Sequence, residues 1–141
     1  MQHQLLKSSL PTVHATFEGQ AARHINSVGD EFIICVNAEH RVDVYMRGNM
    51  KKLKTLEIEY MRCSLHVKDV VFIGTEEKLC YMVDTTNFAT LCKIPTQSYV
   101  FTIAHVDKQT IVCGQYQGFI DIIRYSVSNQ DLTKVAQLRP F

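Results

Sequence analysis

Three apolar runs recur along the chain at nearly even intervals: EFIICV (31–36), DVVFIG (69–74) and QTIVCG (109–114). Val, Ile and Phe dominate them, side chains that suit a pleated and half-buried surface. After a short polar stretch each is followed by a second run: RVDVYM (41–46), LCYMVD (79–84) and FIDIIR (119–124). In the first of these, Val42, Val44 and Met46 alternate with Arg41, Asp43 and Tyr45. A period of two sends alternate side chains to opposite faces of a sheet, so these are predicted strands. Weaker strand-like stretches flank each pair. RHINSV (23–28), MRCSLH (61–66) and YVFTIAHV (99–106) precede it, and LKTLEI (53–58), FATLCKI (88–94) and LTKVAQL (132–138) follow. Turn formers separate the third and fourth stretches: Gly48-Asn49, Thr85-Thr86-Asn87 and Ser126 to Gln130. No stretch sustains the i, i+3, i+4, i+7 spacing of an amphipathic helix.

The three groups superimpose as a repeat, with offsets of 38 and then 40 residues. Ile33 meets Val71 and Ile111, Ile34 meets Phe72 and Val112, and Cys35 meets Ile73 and Cys113. Val42 meets Cys80 and Ile120, Val44 meets Met82 and Ile122, and Ile25 meets Cys63 and Ile103 upstream. Six apolar columns in register imply three copies of one four-stranded unit. A four-stranded antiparallel unit recurring at about 40 residues is the pattern of a β-propeller blade. The predicted class is therefore all-β, with about three such blades in an incomplete or self-associating propeller. The division is an N-terminal segment at 1–20, then blades at 21–58, 59–97 and 98–141. TVHATFE (12–18) is a further candidate strand, the outer strand of a preceding blade.

Some residues carry a family resemblance. GQYQGFIDIIR (114–124) resembles the Gly-Ser-x-Asp-Gly-x-Ile-x-Val-Trp-Asp stretch of WD-repeat proteins, and GTEEKLCYMVD (74–84) is similar, keeping Gly74 and Asp84. VNAEHRVDVYM (36–46) is the weakest copy. The resemblance spans roughly residues 20–138. The chain departs from the family in having no Trp: Tyr45, Val83 and Ile123 stand at that position. Glu39, Glu77 and Gln117 replace the turn Asp, and no Gly-His dipeptide precedes a first strand. In the family those residues form a buried hydrogen-bond network, so its loss implies blades held by apolar packing alone.

Composition narrows the function classes. At 46% hydrophobic the chain can bury a core, and with 15 Lys+Arg against 14 Asp+Glu it has no global bias toward nucleic acid or an anionic membrane. No apolar run reaches the roughly 18 residues of a membrane span, and the N-terminus lacks a signal-peptide h-region. Five Cys at unpaired spacings argue for reduced thiols, hence an expected cytoplasmic location without membrane association.

Chemistry-bearing patterns are sparse. Cys35, Cys63, Cys80, Cys92 and Cys113 form no CxxC and all fall on predicted strands, where a thiol packs as a small hydrophobe. Cys63 and His66, three apart on a strand, point to opposite faces. The six His show no ligand spacing; His66 and His105 close first strands, where a backbone hydrogen bond is the expected role. Phosphate-loop and nucleophile-elbow motifs are absent, and Gly114 and Gly118 bracket a turn. No catalytic residue, cofactor or metal is expected, and the protein is read as a non-enzyme. Arg41, Arg47, Lys51, Lys52 and Lys54 face only Asp43 and form a basic stretch. The lysines are assigned to the third-to-fourth connection of the first unit, where they offer an alternative, nucleic-acid-binding role. A third alternative is a non-catalytic piece of a larger propeller-containing enzyme. The main expectation is a scaffold that binds other proteins. In WD-repeat proteins partners often dock where the fourth-to-first and second-to-third connections meet. The resemblance places Tyr60, Arg62, Tyr99, Tyr116, His40 and Glu76 on that face. Tyr and Arg are frequent interface anchors.

Overall fold

A computed structural model describes residues 23–140, so the strand expected at 12–18 lies outside the described residues. Twelve strands follow one another in three groups of four. The first sheet holds β1 (Arg23–Val28), β2 (Phe32–Val36), β3 (Arg41–Met46) and β4 (Lys52–Glu59). The second holds β5 (Met61–Val67), β6 (Val70–Thr75), β7 (Leu79–Asp84) and β8 (Thr90–Pro95). The third holds β9 (Val100–Asp107), β10 (Thr110–Gln115), β11 (Ile120–Ser126) and β12 (Asp131–Leu138), with a single 3-10 turn at Tyr116–Gly118. Each strand expected within the described residues is present, with its ends within two residues of the sequence reading. In every sheet the strands lie in chain order and every neighbouring pair is antiparallel.

The period of two decides how the sheets stack. Ile34, Val42 and Val44 leave the first sheet on one side and meet Val71, Ile73, Tyr81 and Val83 of the second. The opposite parity of the second sheet, Phe72, Cys80 and Met82, meets Ile111, Cys113, Ile123 and Tyr125 of the third. Phe72 and Tyr125 pack edge to face at 4.9 Å. First strands adjoin one another, β1 with β5 and β5 with β9. That approach needs a missing side chain. A Cβ on Gly74 would collide with Val100 Cγ1 and lie 2.7 Å from Cys63 Sγ. Glycine is the one residue that lets the two sheets close here.

Apolar packing is not the whole of it, contrary to the expectation drawn from the missing family residues. Asp43 and Asp121 are wholly buried at the same repeat position of the first and third units, a position held by Tyr81 in the second. Asp43 Oδ1 accepts from Asn37 Nδ2 (3.1 Å) and Thr55 Oγ1 (2.6 Å), with Lys52 Nζ 3.5 Å away. Asp121 accepts from Gln137 Nε2 (2.8 Å) and faces Lys134 Nζ at 3.2 Å. In the second sheet Lys93 lies over the Tyr81 ring instead, at 6.0 Å. A carboxylate can be buried when donors and a cation from the adjacent strand come with it. Here the fourth strand supplies the cation and one donor for each, and the turn before β3 adds Asn37 for Asp43.

Candidate functional site

The second-to-third turns and the fourth-to-first links lie at one end of all three sheets, and backbone hydrogen bonds stitch them together. Tyr60 N donates to His40 O (2.8 Å), Glu76 N to Tyr60 O (2.9 Å), Thr96 N to Lys78 O (2.9 Å) and Tyr116 N to Tyr99 O (2.9 Å). Left-handed backbone makes the turns: His40 has φ 68°, Tyr60 58° and Gln117 66°. For a residue as large as Tyr60 that conformation costs of order 1–3 kcal/mol, strain of a kind that collects at functional sites.

These connections bring the six expected residues into one row. The His40 and Tyr60 rings stack at 4.5 Å with an interplanar angle of 14°. The Glu76 carboxylate accepts from Arg62 at 3.0 Å. The Arg62 guanidinium then lies 4.9 Å above the Phe101 ring, a cation–π contact. Phe101 meets Tyr116 edge to face at 5.9 Å, and Tyr116 stacks on Tyr99 at 5.8 Å. Tyr99, Phe101 and Tyr116 remain 41%, 40% and 48% exposed, a cluster of large rings left open to solvent.

Phe101 was missed in the sequence, and β-bulges explain both its position and that of Arg62. Met61 pairs with Thr75 and Cys63 with Gly74, leaving Arg62 without a cross-strand partner. Likewise Gln115 pairs with Val100 and Gly114 with Thr102, leaving Phe101 without one. A bulge re-aims the extra side chain. Two of them at the same place in adjacent sheets put a cation over a ring. The sequence signal was the Val100-Phe101 pair, two large apolar residues in succession where alternation should hold.

Other expected features resolve differently. Lys52 and Lys54 belong to β4 rather than to the connection before it. Arg41 pairs with Glu57 (3.4 Å), Arg47 donates to Gly29 O (3.2 Å) and Lys54 to Asn87 O (3.4 Å), so much of the basic stretch is engaged internally. His66 Nε2 meets Lys68 O at 2.6 Å, a backbone partner as expected, whereas His105 Nε2 meets the Tyr125 hydroxyl at 3.0 Å. Gly114 lies within β10, where a Cβ would stand 2.7 Å from Thr102 Cγ2. All five cysteines are free thiols. Burial pushes the Cys63 thiol up to about 12. A hydrogen bond shared with Cys113, then burial, raises that of Cys80 well above its ordinary value. Protonated thiols are poor nucleophiles. Among the described residues no group of His, Cys, Asp and Glu could hold a metal ion. At the opposite end, open clefts of about 490 and 330 Å³ separate neighbouring sheets, bordered by His66 and by His105.

Solved structures with this arrangement exist. Kluyveromyces lactis Hsv2, a WD40 β-propeller, matches at 13% identity over 86% of this chain and 37% of its own, with a TM-score of 0.57. A second Hsv2 structure matches at 11% identity over 86% and 38%, again at 0.57. The computationally designed Ika8 protein matches at 12% identity over 84% of this chain and 36% of its own, at 0.69. The three sheets are propeller blades. At such identities the likeness speaks to fold alone, and the chain spans little more than a third of each of these proteins. No family model matches the chain. No curated protein matches it either. No helix among the described residues is long and apolar enough to cross a membrane.

Proposed function

We propose that this protein is a non-catalytic scaffold, a divergent WD-like propeller unit that binds other proteins in the cytoplasm through the face carrying His40, Tyr60, Arg62, Glu76, Tyr99 and Tyr116. One observation carries the reading: at one end of the blades the His40–Tyr60 stack and a run of contacts from Glu76 through Arg62, Phe101 and Tyr116 to Tyr99 lie side by side, tied by the backbone bond from Glu76 N to Tyr60 O. Aromatic and Arg side chains on rigid strands offer large contact area at low entropic cost, which is what interface anchors require. Five free thiols fit a reducing compartment. The nucleic-acid alternative is weaker, because phosphate binding needs uncommitted cations and Arg41, Lys52 and Lys54 already have partners within the fold.

The test is a displayed peptide library selected on the wild type and on the Tyr99→Ala/Tyr116→Ala double variant. Selected sequences should bind the wild type at least about tenfold more tightly, a typical penalty for losing anchors. Equal binding to both proteins, with unchanged melting, removes this face from consideration. A loss of affinity that grows steeply with salt on a DNA or RNA probe would favour the nucleic-acid alternative.

A further inference from the structure

Among the described residues, the two end faces of the blade stack are the unmatched halves of the interface that already occurs twice inside it. In the first blade, the side that meets its successor carries Ile34, Val42 and Val44, all fully buried. The second presents Phe72, Cys80 and Met82 in the same columns, also fully buried. The third carries Val112, Ile120 and Ile122 there, and all three are only half-buried. Their cross-strand neighbours complete an apolar sheet face: Ala104 beside Val112, Ala136 beside Ile122, and Leu138 beside Ile120. Leu138 is 54% exposed.

The opposite end shows the complement. Val71 and Ile73, and likewise Ile111 and Cys113, are fully buried against the preceding blade. Their counterparts in the first blade, Ile33 and Cys35, are half-buried, and Ile25 beside Cys35 is 60% exposed. Asp43 lies on this same face, and its Oδ1 contacts, Asn37, Thr55 and Lys52, all come from its own blade. Polar chemistry therefore poses no obstacle to covering this face.

We infer that the outer face of the third blade docks onto the outer face of the first blade of a second copy, head to tail. The second copy is the occupant because it supplies the matching columns with no further sequence, extending an interface the fold already makes between consecutive blades. Two copies joined at both ends bring six blades, within the four to eight of closed propellers. A ring also covers both faces and the strand surfaces beside them, which otherwise invite open-ended association.

The experiment measures the solution mass of the full chain by light scattering for the wild type, Ile122→Glu and Ile25→Glu, each near 50 µM, a concentration at which a specific interface of standard size is occupied. The wild type should have the mass of two copies, and each variant that of one. Both substitutions fall on outer faces, and circular dichroism checks that the sheets persist. An equimolar mixture of the variants is the decisive arm, because it rebuilds one unaltered junction, the third blade of Ile25→Glu against the first blade of Ile122→Glu. It should return to the two-copy mass, with association at least about 100-fold weaker in either variant alone. A wild type of single-copy mass with a cooperative melt overturns the inference, as it would if other blades of a longer chain covered these faces. A mixture that stays at single-copy mass overturns the head-to-tail arrangement.

Discussion

Tyr60 joins backbone geometry to surface chemistry. Its φ of 58° is one that a Cβ disfavours, and its ring is held on His40 at 4.5 Å. The two effects separate by substitution. Tyr60→Ala keeps the left-handed strain and loses the ring stack, whereas Tyr60→Gly loses the stack and relieves the strain. The glycine variant should therefore be the more stable of the two by about 1 kcal/mol. Urea midpoints of the pair measure this directly, and an alanine variant equal to or above the glycine variant would show that the turn is not strained. Tyr60 was legible in the sequence as a link residue on the family's docking face. Its partnership with His40 was not, because nothing in the primary sequence links a turn at residue 40 with a junction at 60.

At the level of strands, alternation and turn chemistry carried nearly all of the fold. The columns Ile34/Phe72/Val112 and Val44/Met82/Ile122 registered correctly because one residue of slip would have turned a buried set to solvent. The pattern could not show where strict alternation fails. The bulges at Arg62 and Phe101 are shifts in the pairing of first with second strands, a property of the pair rather than of either strand. Polar burial was hidden for a similar reason. Asp43 and Asp121 look like solvent-facing residues until the fourth strand brings Lys52, Thr55, Lys134 and Gln137 across. Lys134→Met should thus cost about 1–3 kcal/mol, below the full loss for a buried pair because Lys134 itself keeps some exposure. Asp121→Asn retains an acceptor for Gln137 and should cost less. Thermal melts of the two variants rank them, and a harmless Lys134→Met would mean that water or Gln137 alone satisfies Asp121.

For the molecule as a whole, the thiols set an alkaline limit. Cys63 and Cys80 hold their protons above the pH at which an unfolded thiol, near 9.0, releases them. Burial also raises the phenols of Tyr45, Tyr81 and Tyr125 above 10.0. A raised folded value means that the native state binds more protons than the unfolded chain, so stability falls as pH rises through that interval. The thiol contribution is intact below about pH 9 and diminishes between there and about pH 12. Urea midpoints should be level from about pH 7 to 8.5 and lower by pH 10.5, and Cys63→Ala should flatten part of that slope. A midpoint that rises over the same range would contradict the thiol burial.

The strictly sequential strand pairing has a consequence for how the chain is made. All nine pairings among the described residues join strands adjacent in sequence. No sheet waits for a distant segment, so the loop-closure entropy that slows most all-β folding is small at each step. During synthesis the first sheet has all its strands once Glu59 has emerged, and its inner face is then met by β5, β6 and β7, the next strands to appear. The apolar surface exposed at any moment on the ribosome is that of one blade. The order of translation is thus also the order of burial.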